Sequence, residues 1–391
     1  MEKSVLLGLD AAKEDRFSQI KGSNIGLIVN GASIDSSFNH AATIFRKGKG
    51  VNLVALFGPQ HGIGGETQDN MVEWQSFRDE RTGLPVYSLY GQTREPSPEM
   101  LDQLDCLVID LPDIGARYYT FSWTMALCLK TCKKHNIPCV ILDRPNPITG
   151  IFTEGPMLES DFSSFVGLYP VPVRHGMTIG ELALYFNQEY SINCDLEVVS
   201  MKGWQRKMWH DDTGLPWVIP SPNMPTLETA IVYPGTALLE GTNISEGRGT
   251  TRPFEIVGSP GINPYELVTA LNKENLPGVV FRPLFFIPTF QKHQGKVCGG
   301  LQIHVTKRDL FLPVITGVAI IKALYHLYPE IFQWKKPPYE YEETKLPIDI
   351  LSGSDTLRGQ IERGCSLKEI AASWEEKRKK FLKARTAYLL Y

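Results

Sequence analysis

The sequence has none of the local signatures that announce the commonest enzyme chemistries. No GxxxxGK[ST], HExxH or GxSxG occurs, which removes the usual support for P-loop, zincin and serine-hydrolase mechanisms. The glycines after His61 are spaced G-x-G-G, so a dinucleotide GxGxxG is missing too. No apolar run approaches the ~18 residues of a membrane span, and no fixed-period repeat or low-complexity tract is present. Charge of one sign is also lacking. With 40 basic and 43 acidic residues the net charge is −3, which gives no field to recruit nucleic acid or an acidic membrane. The one dense basic run, Lys377-Arg378-Lys379-Lys380, follows Glu375-Glu376 and reads as a solvated helix face. The seven cysteines are odd in number and form no CxxC pair, so they read as reduced core residues rather than a disulfide framework or zinc knuckle. Met1 to Asp10 is too short in apolar residues for an export signal, and cytoplasmic residence is the expectation.

What is there alternates. Apolar runs at Asn24–Asn30, Val51–Phe57, Pro85–Leu89, Cys106–Asp110 and Cys139–Asp143 are separated by helical stretches near Ser37–Arg46, Pro98–Leu104 and Thr120–His135. Continuous apolar strands divided by helices predict a parallel sheet covered on both faces. At 391 residues the chain is long enough for two cores. The reading is α/β: a doubly wound parallel-sheet domain over residues 1–190 and a second domain over 191–391. Gly150 to Pro172 reads as a long connection, Thr178 with Glu181 as a capping box, and Trp204 to Pro260 as loop-rich.

Ligands of open parallel sheets bind beyond the carboxyl ends of the strands. Four predicted strands end in polar segments: Asn30-Gly31; Gly58 to Glu66, which holds Gln60, His61 and Glu66; Asp110 to Tyr119, which holds Asp113, Arg117 and Tyr118; and Asp143 to Pro147, which holds Arg144 and Asn146. Each has a plain structural reading as well. Asp110 and Asp113 serve equally as caps, Arg144 as a partner of Asp143, and His61 as a loop histidine. In the second half, Pro220 to Thr226 holds Asn223 between prolines. Leu239 to Pro253 packs Glu240, Asn243, Glu246, Arg248 and Arg252 among three glycines, which let backbone approach a ligand. Acids, amides, guanidiniums and aromatics without metal-ligand spacing suit a carbohydrate, whose hydroxyls each need a polar partner.

Six stretches in order resemble the NamZ-type exo-β-N-acetylmuramidases: Phe57–Gly62, Asp110–Thr120, Leu142–Pro147, Val171–Thr178, Pro220–Thr226 and Glu240–Thr250. The resemblance implies a Rossmann-like domain, a smaller C-terminal domain and a cleft between them. It also implies release of N-acetylmuramic acid from the non-reducing end of peptidoglycan fragments, as in recycling, without a cofactor. Glu246 and Glu240 are the first candidates for the carboxylate pair, with Asp110 and Asp113 facing them. Arg117, Arg144 or Arg248 would take the lactyl carboxylate, and His61, Asn146, Asn223 and Asn243 the hydroxyls and acetamido group; Tyr118, Arg174 and His175 fall in the same matching stretches. One departure bears on chemistry. The family loop commonly reads Pro-Glu-His-Gly, whereas this chain has Gln60, which leaves Glu66, Glu240 or Glu246 to supply the acid. A muropeptide-binding protein without activity and a nucleotide-sugar or phosphosugar enzyme remain as alternatives.

Overall fold

The computed structural model describes residues 5–69, 71–80 and 82–391. Among the described residues, twelve strands carry the fold. They are β1 (Asn24–Val29), β2 (Asn52–Gly58), β3 (Phe77–Arg78), β4 (Pro85–Ser88), β5 (Cys106–Asp110), β6 (Cys139–Leu142), β7 (Glu154–Met157), β8 (Pro172–Arg174), β9 (Leu196–Val199), β10 (Ile256–Ser259), β11 (Val279–Phe286) and β12 (Cys298–Val305). Seven form one sheet in the order β3-β4-β2-β1-β5-β6-β9, parallel except for the short edge strand β3. All of β5 and β6 is buried, as expected of strands covered on both faces.

The strand order reverses beside β1, which pairs with β2 on one side and β5 on the other. This places the loops after β1, β2, β5 and β6 together at one end of the sheet. The first sheet continues past residue 190, because Leu196–Val199 is its seventh strand, paired with β6. The stretch read as a long connection after Gly150 instead contains the β7–β8 hairpin. The second lobe has an antiparallel sheet, β10-β12-β11. The helix Leu227–Thr236 lies within the region read as loop. One apolar cluster runs from Ile28 and Leu107 through Trp123 to Leu301, Ile320 and Phe381, so both lobes share a core. A second cluster fills the other face of the large sheet. No helix among the described residues is long and apolar enough to cross a membrane.

Candidate active site

At the end of β2, Gly58 lies against the Trp74 indole; a Cβ there would sit 2.7 Å from the ring. The turn that follows delivers Gln60 and His61. Gln60 is buried with both ends of its amide engaged. Thr120 donates to Oε1 at 2.7 Å, while Nε2 donates to the Tyr90 hydroxyl at 3.1 Å and reaches Glu340 Oε1 at 3.5 Å. His61 adopts a left-handed φ of 72° and sets Nδ1 2.7 Å from the Thr67 carbonyl. A carbonyl can only accept, so Nδ1 carries the hydrogen and Nε2 is left as an acceptor. Burial holds the imidazole pKa down to about 4, and the ring is neutral.

The second lobe contributes the turn Tyr339 to Glu342. Glu340 and Tyr341 both have positive φ, 45° and 69°, a conformation usually given to Asn and Gly. Such strain persists where the surroundings over-determine it. Here the first lobe clamps the turn. The Arg94 guanidinium lies 3.4 Å from the Tyr341 ring centroid, and the Tyr341 hydroxyl donates to Glu73 at 3.1 Å. Glu340 is thereby buried, and its Oε2 accepts the Tyr90 hydroxyl at 2.9 Å. Burial, reinforced by the nearby Glu240 carboxylate, outweighs the two hydrogen bonds and pushes its pKa up to about 7. Glu240 is held differently. Its Oε1 is 3.0 Å from Arg248 Nη2, and its Oε2 accepts the Tyr339 hydroxyl at 2.9 Å. The two acids line one cleft together with Gln60, His61, Tyr118, Tyr119, Asn223, Tyr233 and Arg248. Asn223 donates to the Gln68 carbonyl at 2.7 Å, which ties its loop to the one that follows β2.

Comparison with known proteins puts this cleft in a family. Sequence models of the exo-β-N-acetylmuramidase NamZ match residues 25–228 for its N-terminal part and 231–391 for its C-terminal part. The peptidoglycan β-N-acetylmuramidase NamZ of Bacillus subtilis (strain 168) is 50% identical over 387 residues, 99% of this chain and 91% of that protein. The chain belongs to the NamZ exo-β-N-acetylmuramidase family. Two crystal structures of DUF1343 family proteins from Bacteroides fragilis NCTC 9343 share the architecture. One has a TM-score of 0.89 at 33% identity, covering 99% of each chain; the other has 0.77 at 29%, covering 100% of this chain and 99% of its own.

In this NamZ-family chain only part of the polar set singled out in the sequence reaches the cleft. Gln60, His61, Tyr118, Asn223, Glu240 and Arg248 line it. The expectation that Asp110 and Asp113 face Glu240 and Glu246 is corrected. Asp110 takes the Arg144 Nε and Nη2 at 2.5 and 2.8 Å. Asp113 accepts the Gly115 amide at 2.7 Å and lies 3.3 Å from His175 Nε2. Asp113 and Arg144 line a separate crevice with Trp217 and several prolines, beyond β1, β5 and β6. Glu246 is sandwiched between Lys292 at 2.8 Å and Arg248 at 3.2 Å and is not part of the cleft wall.

Several expected ligands are braces for the backbone instead. Arg117 donates to the carbonyls of Pro156, Val171 and Leu351, each at 2.8 Å. Arg174 donates to the Ile148 carbonyl, Asn146 to that of Met177, and Asn243 to that of Ile331. Of the three guanidiniums offered for a substrate carboxylate, Arg248 alone lines the cleft. Glu66 is exposed, and its carboxylate folds over the glycine loop, 2.6 Å from where a Gly64 Cβ would lie. A phosphate cradled by that loop would meet this anion, which argues against a phosphosugar site. Glu340, Tyr339, Tyr90 and Thr120 were missed. The available signal was the alternation of aromatic and acid in Tyr339-Glu340-Tyr341-Glu342, directly after Pro337-Pro338.

Proposed function

We propose that the chain hydrolyses the glycosidic bond of a terminal N-acetylmuramic acid at the non-reducing end of peptidoglycan fragments, with Glu340 as the proton donor. Glycoside hydrolysis needs an acid for the leaving oxygen and a second group at the anomeric carbon. Glu340, with a pKa near 7, retains a proton in neutral solution and gives it up readily. Glu240, ion-paired with Arg248 and hydrogen-bonded by Tyr339, is the fixed negative charge facing a developing oxocarbenium ion. Gln60 contributes an amide: it orients Glu340 through Nε2 and is itself held by Thr120. Neutral His61 offers an acceptor to a sugar hydroxyl, and Asn223 lies on the same wall.

The observation that carries this reading is two carboxyl groups in one cleft, one buried against Tyr90 and Gln60 with its pKa pushed up to about 7 and the other held as an ion pair. The test is Glu340→Gln on a chromogenic β-N-acetylmuramide. An acid catalyst contributes about 100- to 10,000-fold, so turnover should fall by that much. The reacting form is the protonated acid, so wild-type kcat/KM should decline as pH rises through about 7. Near-normal turnover by the variant would remove Glu340 from the chemistry. Tight sugar binding by the wild-type chain without any turnover would instead favour a binding protein.

A further inference from the structure

Polar groups hidden inside a protein are nearly always paired, so an unpaired one calls for a reason. Tyr119 lines the cleft, is 5% exposed, and its buried hydroxyl has no acceptor for its proton. Its neighbours are committed. Tyr118 donates to the Pro234 carbonyl, Tyr339 to Glu240, and Tyr90 to Glu340. Ser221, on the same wall, is placed to donate to the Tyr119 oxygen, which leaves the Tyr119 proton itself unspent. Around the Tyr119 ring the cleft is aromatic: Phe121 at 4.9 Å and Tyr233 at 6.4 Å between centroids, with Phe254 at 4.7 Å from Tyr233.

An apolar box with one unspent donor matches few sugar substituents. A ring hydroxyl would bring a polar group against aromatic faces. An acetamido group brings a methyl to fill the box and a carbonyl oxygen to accept the donor. We propose that Tyr119 is the specificity residue for the 2-acetamido group, its hydroxyl donating to the acetamido carbonyl while Phe121, Tyr233 and Phe254 enclose the methyl. This rests on the muramidase reading only for the identity of the sugar. It adds the expectation that a sugar lacking the acetamido group binds wild type more weakly.

Binding separates the two ideas, because it does not require turnover. Calorimetry compares wild type and Tyr119→Phe against N-acetylmuramic acid and against its analogue with a hydroxyl at carbon 2. Losing one hydrogen bond to ligand should weaken N-acetylmuramic acid by about 10-fold, and leave the 2-hydroxy analogue unchanged. The melting temperature should change little, since the Tyr119 proton is given to no acceptor within the protein and only the Ser221 contact is lost. Equal weakening of both ligands, no weakening of either, or no binding of N-acetylmuramic acid by wild type would overturn the assignment. Selective weakening in a protein that turns over no muramide would uphold it and reject the hydrolase reading.

Discussion

Glu246 and Glu340 are both buried acids, yet their surroundings give them opposite roles. Burial works against the charge of Glu246, but Lys292 and Arg248 outweigh it and hold the pKa below the ordinary value. Lys292 is fixed in turn by the Leu239 and Ile244 carbonyls. Glu246→Gln would leave that ammonium buried without its counter-charge, a change that typically costs about 3–5 kcal/mol. Thermal denaturation should show a large drop in melting temperature, while the fraction still folded keeps a kcat close to wild type. A loss of kcat with unchanged stability would return Glu246 to the chemistry. The sequence ranked Glu240 and Glu246 together because they share one glycine-rich loop, and composition does not tell which carboxylate faces the hollow. Gln60, His61 and Arg248 were legible because strand ends and glycine loops are where ligands meet backbone. Glu340 was not, since a Tyr-Glu-Tyr-Glu run reads as solvated charge until a fold buries it.

At the scale of elements, what local pattern governs was readable and what distant contact governs was not. The strands β1, β2, β4, β5 and β6 and the capped helix Ile179–Glu189 follow from apolar runs and the Thr178–Glu181 box. Leu227–Thr236 was hidden because Pro234-Gly235 in its last turn looks like a break. The helix Pro313–Leu327 shows a second kind of distant control. Its N-cap residue, Leu312, has no capping side chain. The Glu154 carboxylate, from β7, accepts the Val314 and Ile315 amides at 3.2 and 2.8 Å in its place. The hairpin β7–β8 thus serves as a cap for a helix of the second lobe. Removing it with Glu154→Ala should cost about 1–2 kcal/mol, by analogy with losing an N-cap. A urea titration should show a lower midpoint with an unchanged slope. An unaltered midpoint would mean that water satisfies those amides equally well.

For the whole molecule, the shared core and the buried acids set stability and activity against each other. A core continuous across both lobes makes the cleft walls unfold together, so a single thermal transition is the relevant quantity. Glu340 is uncharged at low pH in both folded and unfolded chains, and its pKa rises from 4.5 to about 7 on folding. The sign follows from linkage. Its favourable contribution is complete below pH 4.5, and it is lost as pH climbs through about 7, because the unfolded chain releases the proton first. Asp143 and Glu154, raised to about 6 and about 7, act in the same direction. Burial holds the pKa values of His61, His210 and His293 down, and these act in the opposite direction below the ordinary histidine range. The sum over the chain is therefore blunted, and the contribution of Glu340 is best isolated by difference. Glu340→Gln removes the ionisation and leaves the shape. The variant should melt close to wild type at pH 5 and above it at pH 8, by an amount of order 2–3 kcal/mol. The inactive enzyme would then be the more stable one, and only in the alkaline range. Equal melting differences at both pH values would show that Glu340 folds as an ordinary carboxylate, and the proton it is assigned to deliver would be absent at neutral pH.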